Sequence, residues 1–174
     1  MAVHKINVPE GTDRNEQQIL DIGELTVKLN AQLCKGQVAP LFEVEALDGK
    51  RIRLEDLRGK VVLLAFWASW CGECVAEVPM LKKLYEEFGN NERFAMIGLS
   101  LDQSPETVRR FAKNQKMNWT QGVLGDWSKT KLPSQYAVSF IPTTLLIDQN
   151  GRLVDTLRGP KMREGIEKAL ASLE

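Results

Sequence analysis

The sequence predicts an α/β fold: a central mixed β-sheet flanked by helices, with an extra N-terminal β-hairpin. Three observations predict it. "KVVLLAFW", residues 60–67, is a continuous apolar run of strand length, as expected of a central strand covered on both faces. Helical periodicity follows it, so strand and helix patterns alternate. Asp48-Gly49 and Asn150-Gly151 each stand between strand-like segments, where such dipeptides signal hairpin turns. Alternation early and a hairpin late imply parallel and antiparallel strands in one sheet between helices.

The elements follow in order. Thr12 and Asp13 are candidate caps and Glu16 stands at capping-box spacing, so a short helix is expected over 12–25. Residues 1–35 form an N-terminal extension, partly helical, and 36–174 the main domain. "FEVEA" and "RIRL" flank "LDGK" as a hairpin, and "LEDL" makes one helical turn. After the run at 60–67, Val75, Val78, Leu81, Leu84 and Phe88 recur at helical spacing. "RFAMIGLSLD", 93–102, is the next strand. Ser104 caps a helix with Pro105 at its first position, carrying Val108, Phe111 and Ala112 inward. "NWTQGVL" reads as a short strand and "SKTKLPSQYAV" as a loop with a helical turn. "TTLLID" and "RLVDTLR" pair around Asn150-Gly151, and "KMREGIEKALASL" is a last amphipathic helix. The order is β-hairpin, then βαβα, then ββα.

Composition removes several function classes. Lys plus Arg and Asp plus Glu are 23 each in 174 residues, so no basic surplus draws the chain to nucleic acid or an anionic membrane. No stretch has the apolar length of a membrane helix, so no membrane insertion by this chain as given is expected. "MAVHKINVPEG" has no apolar h-region, and no signal peptide is legible. Three cysteines are too few for a disulfide scaffold. A zinc site wants four ligands, and His4 and Cys34 both lie far upstream of Cys71 and Cys74, so no metal is expected.

The informative stretch is "FWASWCGECVAEVP", residues 66–79, where Cys71 and Cys74 fall at the junction of a buried strand and a helix. The chain here resembles the thioredoxin-like superfamily, in particular its TlpA/ResA branch of thiol-disulfide oxidoreductases with an AhpC/TSA-redoxin type domain. Four features between about 36 and 174 carry the resemblance. They are "FWASWCGEC"; Pro79, five residues after Cys74; "SFIPTTLLIDQNG", with Pro142 at the place of a cis-proline; and "APLFEVEALDGKRIRLEDLRGKVVLL", similar to the branch's extra hairpin. Departures are Glu73 before the second cysteine, where proline is common, and Ala65 where thioredoxin has a buried aspartate. Glu77 stands where this branch carries glutamate.

The chemistry follows from position. Cys71 begins the helix, where free N–H groups and the macrodipole favour a thiolate, so it is the expected nucleophile. Cys74, one turn further, is the resolving thiol. Glu77 shares a face with Cys74 and can take its proton. Trp70, Gly72, Glu73, Ile141 and Pro142 are the expected substrate-binding residues, with a cis Ile141–Pro142 bond aiming backbone at an incoming peptide. Trp67 belongs to the core. Cys34 is a small apolar side chain or a stray thiol.

The resemblance implies a protein-disulfide oxidoreductase, acting as a reductant, with no cofactor beyond its redox-active disulfide. Its partners are protein thiol or disulfide substrates and an upstream redox partner. It implies an extracytoplasmic location, periplasmic or membrane-tethered, with this chain a fragment of an exported protein. Two alternatives are thiol peroxidase and a copper-binding module. Peroxidases of the related family place proline and threonine seven and three residues before the reactive cysteine, where Leu64 and Ala68 precede Cys71. Related copper carriers use CxxxC and a distant histidine, whereas this chain has CxxC and only His4.

Overall fold

The computed structural model describes residues 33–173, so the helix expected over 12–25 lies outside them. Seven strands are described: β1 (Glu43–Glu45), β2 (Arg51–Arg53), β3 (Val61–Trp67), β4 (Phe94–Ser100), β5 (Thr120–Val123), β6 (Thr143–Ile147) and β7 (Leu153–Leu157). Four helices accompany them: α1 (Gly72–Phe88), α2 (Pro105–Gln115), α3 (Leu132–Gln135) and α4 (Lys161–Ala171).

β1 and β2 form the N-terminal hairpin, with Glu43 opposite Arg53 and Glu45 opposite Arg51. Gly49 supplies the positive φ of the turn, +81°, and the Asp48 carboxylate accepts the Lys50 N–H at 3.1 Å. The late hairpin repeats the device: Gly151 has φ +71°, and Asp148 accepts the N–H groups of Asn150 and Arg152. "LEDL" contributes a single 3-10 turn, Glu55–Leu57.

The main sheet has the order β5-β4-β3-β6-β7. β3, β4 and β5 are parallel; β6 runs antiparallel to β3, and β7 antiparallel to β6. The two crossovers β3–α1–β4 and β4–α2–β5 step the same way, and right-handed connections then lay both helices on one face. Along β3 the side chains alternate. Val61, Leu63 and Trp67 join Cys74, Val78, Leu81, Val108, Met162 and Ile166, from α1, α2 and α4. Val62, Leu64 and Phe66 join Phe42, Ile52, Leu132 and Tyr136, from the hairpin side and α3. Both faces are dry, which is why β3 is apolar throughout.

Some expectations change. β5 is the short strand expected in "NWTQGVL"; it pairs parallel with β4 and adds a third parallel strand to the βαβα order. "TQGV" is too short for its period to show, and only its neighbours fix it. The buried stripe of α1 is Cys74, Val78, Leu81 and Leu84, with Val75 and Phe88 half-buried at its margins. Ser104 sits extended at the N-cap of α2, but its side chain makes no cap hydrogen bond.

Candidate active site

β3 ends at Trp67, and four residues later Cys71 is the N-cap residue of α1, with extended backbone. Trp67 is held in the core: its indole N–H donates to the Gln121 side chain at 3.1 Å. Gly98 on β4 makes room for that pair, since a Cβ there would press on the Gln121 amide and the Trp67 indole. The turn closes with the Cys71 N–H bonded to the Ala68 carbonyl at 3.2 Å.

Cys71 and Cys74 form a disulfide, with Cα atoms 5.2 Å apart. Cys71 is half-buried, whereas Cys74 is 3% exposed. The Cys71 Sγ accepts the Cys74 N–H at 3.1 Å. A sulfur in that place carries charge more easily when reduced, because a helix N-terminal N–H points at it. The Ile141 carbonyl oxygen lies 3.7 Å from the same sulfur, and the Ile141–Pro142 peptide is cis. The chain thus brings the 141–142 segment, remote in sequence, against the disulfide.

Gly72 and Glu73 occupy the exposed first turn of α1. Trp70 is 65% exposed, immediately before Cys71. Glu77 is half-buried one turn beyond Cys74. Burial holds its carboxyl above the ordinary range; Arg158 opposes this and Glu73 adds to it. Cys34 is exposed, which corrects the apolar-packing reading: it precedes the chain's entry to the sheet instead of filling a core position.

Three residues around the site escaped the sequence reading. Phe140, 56% exposed, precedes Ile141, and the Arg158 guanidinium sits 4.7 Å from its ring centroid. Arg158 also donates to the Pro142 carbonyl at 3.3 Å. Asp102 is buried just past β4 and accepts from Ser69. The only sequence signal for Asp102 was its place at the end of an apolar strand. Arg158 gave none, because its partners lie sixteen and more residues away.

Comparison with known proteins places the chain among relatives of this fold. The AhpC/TSA family model matches residues 35–156. A relative described as thiol-disulfide oxidoreductase ResA, from Bacillus cereus, is 33% identical over 138 residues, 79% of this chain and 78% of its own length. A solution structure of a putative protein disulfide isomerase from Bacteroides thetaiotaomicron superposes with TM-score 0.73 at 32% identity, covering 81% of this chain and 91% of that one. A crystal structure of the thioredoxin domain of a Bacteroides vulgatus thiol-disulfide oxidoreductase gives TM-score 0.72 at 31% identity, covering 79% and 98%.

Proposed function

Because the chain belongs to the AhpC/TSA family and is a thioredoxin-fold thiol-disulfide oxidoreductase of the ResA kind, we propose that Cys71 attacks, Cys74 resolves and the net direction is reduction of protein disulfides. The observation that carries the division of labour is the asymmetry of the pair. Cys71 is the partly exposed N-cap residue that a helix N–H faces, and Cys74 is buried one turn inside.

The Cys71 thiolate attacks one sulfur of a substrate disulfide and expels the other as a thiolate. The Cys74 thiol then gives up its proton and attacks the Cys71 sulfur. The Cys71–Cys74 disulfide forms, and the second substrate sulfur leaves as a thiolate that takes up a proton. Two electrons pass from protein to substrate. Glu77 takes the Cys74 proton: burial raises its affinity for a proton, as a base working near neutral pH needs. No second cofactor enters this sequence of steps.

Trp70 and Phe140 give the rim exposed aromatic surface, and the substrate backbone adds beside Ile141 as an extra strand. Gly72 and Glu73 complete the rim next to Cys71. The partners are protein thiols or disulfides and an upstream donor that re-reduces the pair. The location we propose is extracytoplasmic, where protein disulfides that need reduction form and persist. Among the described residues no helix is long and apolar enough to cross a membrane.

The test is to trap the intermediate. Cys74→Ser, mixed with a disulfide-containing protein, should accumulate a mixed disulfide through Cys71. A trap that forms instead through Cys74 in the Cys71→Ser protein would reverse the roles.

A further inference from the structure

Asp102 follows β4 and is 3% exposed. Its carboxylate takes its hydrogen bonds from two serines. The Ser69 N–H donates to Oδ2 at 2.9 Å, the Ser69 hydroxyl to Oδ1 at 2.7 Å, and the Ser100 hydroxyl to Oδ2 at 2.7 Å. Burying a carboxylate is costly unless its oxygens are bonded, and here the bonds come from one turn and its neighbouring strand end.

That turn is the redox turn. Ser69 lies two residues before Cys71 and is held through both backbone and side chain. The Trp67 carbonyl accepts the Leu101 N–H at 2.9 Å, and the Ala68 carbonyl accepts the Cys71 N–H at 3.2 Å. Residues 67 and 69 are therefore tied to 101 and 102, and the Ala68–Cys71 bond closes the turn that carries Cys71. None of these links involves a sulfur atom, so breaking the disulfide removes none of their donors or acceptors.

We propose that Asp102 is a positioning residue of the Cys71–Cys74 couple: it keeps the Ser69–Cys71 turn closed in the dithiol and so makes the couple more reducing. This rests on the reading of Cys71 and Cys74 as the redox pair. Against glutathione disulfide the balance is explicit. The dithiol loses two electrons and two protons, the Cys71–Cys74 bond forms, the glutathione S–S bond breaks, and two glutathione thiols result. Ring closure removes freedom from the turn. A turn already held by Asp102 has less to lose, so the two thiols meet at higher effective concentration and the disulfide is favoured.

The test equilibrates wild type, Asp102→Ala, Asp102→Asn and Ser69→Ala against reduced and oxidised glutathione. Melting of the oxidised and reduced forms is followed in parallel. Asp102→Ala should move the equilibrium towards dithiol by about tenfold, about 30 mV less negative. Asp102→Asn keeps an acceptor for the Ser69 N–H and should recover part of that shift. Removing the negative charge pushes the same way, so Ser69→Ala is the decisive variant. It leaves the charge, removes one hydrogen bond, and should shift the equilibrium about threefold towards dithiol. A melting temperature that falls equally in both redox forms, with the equilibrium unmoved, overturns the proposal and leaves Asp102 a structural residue. If Asp102→Ala fails to fold, unmoved equilibria in Asp102→Asn and Ser69→Ala overturn it. A wild-type pair that does not exchange with glutathione overturns the redox reading itself, and this inference with it.

Discussion

The two faces of the sheet are both dry, yet only one ends in reactive chemistry. On one face α1, α2 and α4 cover Val61, Leu63 and Trp67, and the cluster reaches its edge at Cys74. On the other, Phe42, Phe66 and Tyr136 pack ring against ring, with centroids 6.1 and 5.8 Å apart. Burial raises the Tyr136 phenol pKa beyond its ordinary value, and its hydroxyl donates to the Pro40 carbonyl. That polar group is consumed in fastening α3 to the segment before β1. Reactivity therefore does not come from burial. It comes from a helix that starts where a buried strand stops, leaving N–H groups without intrahelical partners beside a sulfur. Ile141 packs against both clusters and closes the site from the far side.

The sharpest way to separate the faces is to remove one group from each. Cys71→Ser should abolish disulfide exchange, as followed by reduction of a protein disulfide, while the fold melts as the reduced wild type does. Phe66→Ala should do the reverse. It deletes a fully buried ring from the other face and should cost about 3–5 kcal/mol by denaturant titration. The Cys71–Cys74 potential should stay where it was. A Phe66→Ala protein with a shifted potential would show that the faces are coupled through β3.

Glu77 tests the reactive face alone. Glu77→Gln should slow the resolving step about a hundredfold, the low end for general base catalysis, and leave the first attack by Cys71 unchanged in stopped-flow exchange. Its effect on stability has a definite sign. Burial raises the carboxyl pKa in the folded protein above its unfolded value near 4.3. Stability is then whole below the unfolded pKa and is lost as pH rises through the folded one. Glu77→Gln should melt as wild type does below about pH 4 and somewhat higher at pH 7. A lower melting temperature at pH 7 would mean that Arg158, which opposes burial at this carboxyl, outweighs it.

Much of this was legible in the sequence because single residues carried it. The run at 60–67 fixed the central strand, and Asp48-Gly49 and Asn150-Gly151 placed both hairpins, each with a glycine at positive φ. Cys71, Cys74 and Glu77 could be singled out because the start of one helix carries all three. What escaped was assembled across the sheet. β5 was legible only as a short strand, and its parallel place beside β4 comes from pairing. Asp102 meets Ser69 from 33 positions away, and Arg158 reaches Phe140 and Pro142 from beyond β7. Such contacts leave no local pattern, because each partner alone is an ordinary polar residue at an element's end.

Glu73 should give the smallest effect and discriminates within the reactive face. It is exposed in the first turn of α1, two residues after Cys71. Its charge competes for the same helix-terminal N–H groups and repels a thiolate on Cys71. Both effects raise the Cys71 pKa relative to a neutral residue there. A less stable thiolate means a less stable dithiol form, so the wild-type couple is the better reductant. Glu73→Gln should therefore lower the Cys71 pKa and make the potential less negative. Solvent screens an exposed carboxylate, so the change should not exceed about one pKa unit, a tenfold or roughly 30 mV effect. Salt separates this from positioning. In about 1 M salt the Debye length falls to roughly 3 Å, and the difference between wild type and Glu73→Gln should shrink towards zero. The Ser69→Ala shift, which removes a hydrogen bond and no charge, should survive the same salt. A Glu73→Gln shift that persists in high salt, or one of opposite sign, would mean that Glu73 acts through the backbone of the turn, as Asp102 does, and not through its field.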